Sequence, residues 1–253
     1  MTTRTRIVLA WLSAGHAAVG GLYWLLLQVP ESNAWMLLAS ALVAIAAVLL
    51  LGWVEMAAAL GFNAVMPMRE AARLGARRAW LIVFPLAVFG CFWLVTADAT
   101  GWLEQNAGRI DAWVIARTGW TRTTGLHSAA GRIVAFVRYG IGVSLAAALL
   151  RALAVRGLRG LGTDWVRSGL SGPRLIAVSA ALVAGFWLPW HAAYWRPAWL
   201  PPTWVQPAFA AAKLLAIFII ANAGWAFILR RAPRERAKPS AEILPAAAAG
   251  ERL

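Results

Sequence analysis

Acidic residues and cysteine are scarce in this chain. Only 10 Asp and Glu stand against 24 Lys and Arg, and charged residues make up 13% of the 253 positions. An ordinary soluble domain carries about 25% charged residues, so the composition excludes that class. The single cysteine, Cys91, excludes an intrachain disulfide. The few carboxylates are not paired within one membrane layer, which argues against an intramembrane aspartyl protease.

The sequence signatures of common enzymes are also missing. The sequence has no H-E-x-x-H pattern, no G-x-S-x-G pattern and no P-loop. Gly142, Val143 and Ser144 are too short a run to count as a nucleophile motif. We therefore predict a non-enzymatic chain with no catalytic residue, no metal site and no cofactor.

Long apolar blocks take up most of the chain. Hydrophobic residues account for 61% of it, and the mean hydropathy is +0.67. A helix needs about 20 such residues to cross a hydrocarbon core of about 30 Å. The pattern predicts an all-α, polytopic membrane protein with six transmembrane helices, at residues 7–29, 34–53, 79–97, 133–153, 175–195 and 204–229. Pro85 lies inside the third block and predicts a kink, which membrane helices tolerate.

The net charge of +14 is distributed between the apolar blocks rather than along one soluble face. This distribution indicates membrane topology and no nucleic-acid partner. When the N-terminus is placed inside, seventeen of the 24 Lys and Arg residues fall on the inner side and five on the outer side. The positive-inside rule then predicts that both termini are cytoplasmic. Arginine outnumbers lysine 22 to 2 and alanine is abundant, which favours a bacterial protein of the inner membrane.

The segments between and after the helices carry weaker patterns. Leu103, Ala107, Ile110 and Val114 recur at helical spacing and predict an amphipathic helix on the outer face, between spans 3 and 4. The inner loop 154–174 is rich in Gly and Arg, and we expect it to lie against the anionic membrane surface. We assign residues 1–231 to the transmembrane domain and predict that 232–253 form a disordered cytoplasmic tail.

Three spans precede the long outer loop and three follow it. An odd number of spans per half permits an inverted repeat, as in many transporters. The two halves show no convincing sequence similarity, so the repeat remains an alternative.

The stretch FWLPWHAAYWRPAWLPPTW, residues 186–204, holds five tryptophans. It ends the fifth span, forms a short outer loop and begins the sixth. Tryptophan and tyrosine favour the membrane–water interface, because an apolar ring carries one polar N–H or O–H. An aromatic belt is therefore one interpretation, and a stacking surface for a ligand or lipid head group is the other.

Lys213 is an intramembrane charge, about 13 Å below the outer end of the sixth span at the usual helical rise. Such a charge predicts a functional site by default. A structural alternative is a lysine that extends to the interface or pairs with Asp98. Together with neighbouring cations and aromatic rings, Lys213 predicts a site for an anionic amphiphile in the outer half. That candidate ligand-binding set is Lys213, Arg138, Arg196, His191, Trp190 and Trp195.

Two polar residues of the first two spans are further candidates. His16 lies mid-helix among small residues, so we predict a packed histidine that bonds to a neighbouring helix. Its alternative role is a haem or metal ligand. Glu55 follows the second block, and we expect it to pair with Arg151 or another inner arginine. A proton relay is the alternative for Glu55.

Three functions are compatible with these patterns. The first is a non-enzymatic membrane component, either an accessory subunit or a scaffold, with membrane lipids and a membrane protein as partners. The second is a transporter or lipid handler that uses Lys213, Arg138 and the tryptophan rim. The third is an intramembrane enzyme with His191 as general base, which is the weakest because His191 has no positioned partner.

Overall fold

The long apolar blocks form helices throughout the part of the chain that is described. A computed structural model describes residues 2–30, 32–63, 66–119, 124–195, 197 and 203–231. Its α-helices are α1 (Thr3–Gln28), α2 (Ala34–Asn63), α3 (Met68–Arg78), α4 (Val83–Gln105), α5 (Ala107–Thr118), α6 (Thr124–Ala135), α7 (Gly142–Arg156), α8 (Asp164–Gly169), α9 (Gly172–Leu182), α10 (Leu188–Tyr194) and α11 (Val205–Arg231). These residues contain no strand.

Short 3₁₀ and π segments join several of these helices into longer rods. A 3₁₀ turn, Ala79–Ile82, joins α3 to α4, and another, Gly157–Leu161, follows α7. A π segment, Phe136–Ile141, joins α6 to α7, and Val183–Trp187 joins α9 to α10. Six of the resulting helices are long and apolar enough to cross a membrane. The chain is therefore a multi-pass membrane protein, as the apolar blocks predict.

The helices differ from the predicted spans mainly in length. The predicted second span ends at Trp53, but α2 continues to Asn63 because Val54 to Leu60 are buried against neighbouring helices. The third rod runs from Met68 to Gln105. Pro85 lies two residues into α4, directly after the 3₁₀ turn. It lacks the N–H that would bond to the fourth residue before it, so the irregular turn stands where that bond is missing.

Burial is concentrated at one end of the helices α1, α2 and α11. We call this end the packed half. It contains the start of α1, the end of α2 and the end of α11, joined by α3 and the end of α7. The core residues shared among them include Val8, Leu12, Val54, Met56, Leu60, Leu81, Leu149, Leu153 and Leu229. The side chain of Arg4 closes this end, because its Nε donates to the Gly61 carbonyl at 2.7 Å and Nη2 to the Met66 carbonyl at 3.1 Å.

The other end of the same three helices has no buried residue. We call it the open half, and it comprises residues 17–28, 34–51 and 205–221. A helix inside a bundle normally buries at least one face, because small residues let neighbouring helices approach closely. In the open half, Gly20 and Gly21 of α1 have no atom within 4 Å of the position that a Cβ would take. The helices α1, α2 and α11 are therefore tightly packed at one end and loosely packed at the other.

Close helix crossings depend on glycine at a few positions. A Cβ on Gly52 of α2 would lie 2.1 Å from the Ala79 carbonyl oxygen. Gly185 and Gly224 meet backbone to backbone, since a Cβ on either would lie 3.1 Å from the other's Cα. This second crossing joins the π segment before α10 to α11.

The connecting segments agree only in part with the sequence patterns. A helix, α5, does follow the third rod, and Val114 is buried in it, but Leu103 belongs to α4 rather than to α5. In loop 154–174, Trp165 packs against the core, whereas Leu158 and Leu161 are exposed. The predicted tail, 232–253, lies outside the described residues.

The Gly52 crossing yields a test of the packing. Replacing Gly52 by Ala should destabilise the protein by about 1–3 kcal/mol, because a methyl group cannot be inserted against the Ala79 carbonyl without backbone movement. Gly90→Ala is the matched control, since the position of its Cβ is open. Helix propensity alone favours alanine over glycine by about 1 kcal/mol at both sites. Thermal unfolding in detergent measures both variants, and equal stability of the two would contradict the crossing.

Candidate functional site: a buried polar cluster shared by three helices

Four polar side chains from α1, α2 and α11 meet inside the bundle. His16 Nε2 lies 2.8 Å from Glu55 Oε1, and His16 Nδ1 lies 2.6 Å from Asn222 Oδ1. The indole Nε1 of Trp225 donates to both carboxylate oxygens of Glu55, each at 2.7 Å. Glu55 and Asn222 are each only 4% exposed. We call these four residues the polar cluster.

Close contact between α1 and α2 places His16 beside Glu55. Gly15, next to His16, faces Val54, next to Glu55, and a Cβ on Gly15 would lie 2.3 Å from a Val54 methyl carbon. The indole of Trp11 adds a hydrogen bond to the Val54 carbonyl at 3.1 Å. The helices can therefore approach at this level only because residue 15 has no side chain.

Helical spacing on α11 supplies the other two members. Asn222 and Trp225 are three residues apart, and side chains at this spacing lie on one face of a helix. Asn222 Nδ2 donates to the Phe218 carbonyl one turn earlier at 2.8 Å. Both side chains thus reach α1 and α2 from a single face of α11.

The hydrogen-bond partners of His16 and Asn222 determine which of their atoms carry hydrogens. The Phe218 carbonyl can only accept, so Asn222 must present Nδ2 to it and its oxygen Oδ1 to His16. His16 Nδ1 must then carry a hydrogen. One more proton lies between Nε2 and Glu55 Oε1, and the pair has no net charge whichever atom holds it. A neutral, fully bonded pair avoids the large cost of an isolated charge in a low-dielectric interior.

The polar cluster marks the boundary between the packed and open halves. Leu12 is the last buried residue of α1, and Asn222 is the first buried residue of α11. The His16 side chain keeps 22% exposure while that of Glu55 keeps 6%. The arrangement joins three helices and holds one proton between His16 and Glu55. The predicted hydrogen bond from His16 to a neighbouring helix is confirmed. The predicted partner of Glu55 is wrong, because Glu55 bonds to His16 and Trp225 rather than to an arginine.

Lys213 binds the end of a neighbouring helix. Its ammonium donates to the carbonyls of Ala193 and of Trp195, the second at 3.0 Å. These carbonyls lie at the C-terminal end of α10, where a helix leaves acceptors unsatisfied and carries negative partial charge. The ammonium also lies 5.5 Å from the ring centroid of Phe209. Lys213 therefore caps α10 instead of pairing with Asp98.

Arg138 contacts a different part of the bundle. It lies in the π segment between α6 and α7, and its Nε donates to Thr96 Oγ1 of α4 at 2.7 Å. The guanidinium carbon is 5.3 Å from the centroid of Trp93 and 5.9 Å from that of Tyr139. Arg138 and Lys213 thus bond to separate helices and share no partner.

The remaining candidates are spread over α10 and its end. His191 Nδ1 donates to the Trp187 carbonyl of its own helix at 2.9 Å, and its ring is exposed. Trp190 and Trp195 are also exposed, at 62% and 60%. Arg196 lies outside the described residues. The structure brings Lys213 to the Trp195 carbonyl, and the contacts of the described members do not join the rest of the predicted set.

Sequence reasoning missed two members of the polar cluster. Asn222 and Trp225 stand in an apolar helix, and neither type is rare enough there to attract notice alone. The spacing of Asn222 and Trp225 is the sequence feature that could have identified them. They are three residues apart, so they share one face of α11 and can meet His16 and Glu55 of other spans. Among the described residues, no group of three His, Cys, Asp or Glu could hold a metal ion.

The polar cluster yields a stability prediction. His16→Ala should lower the free energy of unfolding by about 3–5 kcal/mol, because the Glu55 carboxylate stays buried without its ring partner. Asn222→Ala should cost about 1–3 kcal/mol, the usual effect of leaving one buried group unbonded.

His191→Ala is the matched control, because His191 is exposed and bonds only within its own helix. It should change stability by less than about 0.5 kcal/mol. Thermal unfolding followed in detergent measures all three variants. A His16→Ala protein as stable as His191→Ala would contradict the cluster.

No protein-family model matches the sequence, and no curated protein or solved structure matches it at a significant level. What this chain does is therefore argued from its own geometry.

Proposed function

We propose that this protein is a non-enzymatic membrane component, an accessory subunit or scaffold that offers the open half of its bundle to another membrane protein. The observation that carries the proposal is the contrast between the two halves. Residues 17–28, 34–51 and 205–221 include no fully buried side chain, while the opposite ends of the same helices form a continuous core.

The polar cluster supports this proposal, because it fixes the three helices where the packed half ends. A rigid base lets the open half keep its shape although it contains no fully buried side chain. Helix association in lipid depends on close van der Waals contact at small residues. Gly20 and Gly21 offer such a surface on α1, with nothing within 4 Å. The side chains of the polar cluster, together with Lys213 and Arg138, bond to other helices, which suits a structural role.

The proposal includes an orientation and a location. The excess of arginine on one side supports an orientation with both termini in the cytoplasm, in which the open half belongs to the outer leaflet. The helix α5 then lies on the outer membrane surface, with Trp113 exposed beside buried Val114. Composition favours the inner membrane of a bacterium.

A transporter or lipid handler for an anionic amphiphile is the second candidate. It is supported by donor groups that remain on the two intramembrane cations. Lys213 uses its ammonium for two carbonyls, although an ammonium has three donors, and Arg138 bonds through Nε alone. Against it, the two cations bond to different helices.

The partner surface can be tested by filling it. The double change Gly20→Leu and Gly21→Leu should leave the fold intact, because both Cβ positions are open, but should prevent a partner helix from approaching. Native mass spectrometry of protein released from its own membrane should show a second protein at fixed stoichiometry with the wild type and at least tenfold less with the variant.

Gly90→Leu is the matched control for added apolar volume at another open position. It should retain the partner. Equal loss in both variants, or a wild type released alone, would argue against a subunit.

The second candidate has its own test with Lys213→Ala. If Lys213 only caps α10, the variant should bind the same lipids as the wild type and unfold at a lower temperature. An anionic lipid or small molecule that is bound to the wild type and lost from the variant would favour the handler instead. Native mass spectrometry and thermal unfolding on the same samples give both readouts.

A further inference from the structure

Three arginines of α3 form an exposed stripe along one face of the helix. Arg69, Arg73 and Arg77 stand four residues apart, and side chains at this spacing are neighbours on a helix surface. All three are exposed. The opposite face carries Ala71 and Gly75, which are buried in the packed half. We call the three arginines the arginine stripe.

The arginine stripe costs α3 stability. Arginines four residues apart repel each other, and Arg69 also stands in the first turn, where the helix dipole disfavours a cation. Glu70 is the one acidic residue of α3, and it suits the first turn. None of the three arginines forms a hydrogen bond or an ion pair with Glu70 or with any other described residue. The packing of the fold therefore does not explain why the stripe is there.

Arg78 shows what a structural arginine of the same helix does. It is half-buried and donates through Nη1 to the Ala154 carbonyl of α7. Its guanidinium also lies beside Gly157, where α7 has ended. The preceding residue, Arg77, points to the exposed face instead. The arginine that joins α3 to the bundle and the arginines without a partner are thus on different faces.

The direction of α3 distinguishes between a lipid and a soluble partner. The helix runs antiparallel to the end of α2, because its start lies beside Gly61, its later part beside Ala57 and the turn that follows it beside Gly52. The stripe therefore extends for about 12 Å along the direction of a span, at the usual helical rise. One head-group layer is only about 5–7 Å thick, and guanidinium groups avoid hydrocarbon. Lipid head groups can meet only part of the stripe, whereas a soluble partner can meet all of it.

We propose that the arginine stripe binds an acidic helix of a soluble protein, whose carboxylates recur at the same four-residue spacing. Each carboxylate accepts hydrogen bonds from one guanidinium, the pairing that the planar geometry of arginine favours. The stripe belongs to the packed half, so this surface is separate from the open half. Failure of this interaction would leave the proposed membrane partner untouched, and the reverse also holds.

The test measures binding of a synthetic peptide to the full chain in phosphatidylcholine nanodiscs, by fluorescence anisotropy. The probe is an alanine-based helical peptide with glutamate at every fourth position. Its control peptide has the same composition, with the glutamates spread around the helix. The stripe variant replaces all three arginines of the stripe by Gln. The control variant removes the same charge from exposed arginines elsewhere, with Arg159→Gln, Arg167→Gln and Arg230→Gln.

The wild type and the control variant should bind the probe about tenfold more tightly than the stripe variant, since each exposed ion pair contributes a factor of about 1.5 to 5. The wild type should also bind the probe more tightly than the control peptide. The stripe variant should unfold at the same temperature as the wild type or at a higher one, because the repulsion within α3 is removed.

Repeating the titration in phosphatidylglycerol nanodiscs separates a soluble partner from a lipid. The ratio of wild-type to stripe-variant affinity should persist there. A ratio that falls to one would identify lipid head groups as the occupant and overturn the proposal. Equal affinities of the stripe and control variants, or equal binding of the two peptides, would overturn it as well. A stripe variant that unfolds at a lower temperature would assign the arginines to the fold and contradict the proposal.

Discussion

The hydrogen-bonded pair of His16 and Glu55 is the interaction on which the rest of the bundle depends. It connects α1 to α2, and Asn222 and Trp225 extend the connection to α11. Lipid offers no water to satisfy polar groups, so each member of the polar cluster bonds to at least one other member. The geometry allows this because Gly15 brings α1 against α2. Gly15, the His16–Glu55 pair and the Asn222–Trp225 face of α11 thus set the positions of three spans.

The same need for hydrogen-bond partners explains the contacts of the other cations in the helices. Lys213 satisfies the carbonyls at the end of α10, Arg138 bonds to Thr96, and Arg4 bonds to one carbonyl in the last turn of α2 and to one beyond it. Tryptophan also joins helices in the interior, since Trp53 Nε1 donates to the Ala72 carbonyl at 2.8 Å. Lys213 and Arg4 thus complete hydrogen bonding at helix ends, whereas Arg138 and Trp53 join neighbouring helices. Arg174 differs from them, because two of its donors face no acceptor among the described residues.

The number of spans could be predicted from the sequence because apolar length alone determines it. The extension of α2 to Asn63 could not, because Glu55 interrupts the apolar run and its burial depends on His16, which is 39 positions away. Single-residue reasoning identified His16, Glu55 and Lys213 as unusual, since a charge in an apolar block is conspicuous. It assigned the wrong partner to Glu55 and missed Asn222 and Trp225, because partners on other spans depend on how the helices pack.

The most direct test of this account is nitrogen-15 solid-state NMR of His16 in bilayers, with His16→Gln used to assign its signals. The polar cluster requires a hydrogen on Nδ1, bonded to Asn222, and a hydrogen bond between Nε2 and Glu55. We predict that both ring nitrogens give hydrogen-bonded signals and that the Nδ1 signal shifts in Asn222→Ala. A bare Nδ1, or a ring that exchanges freely with water, would contradict the central claim.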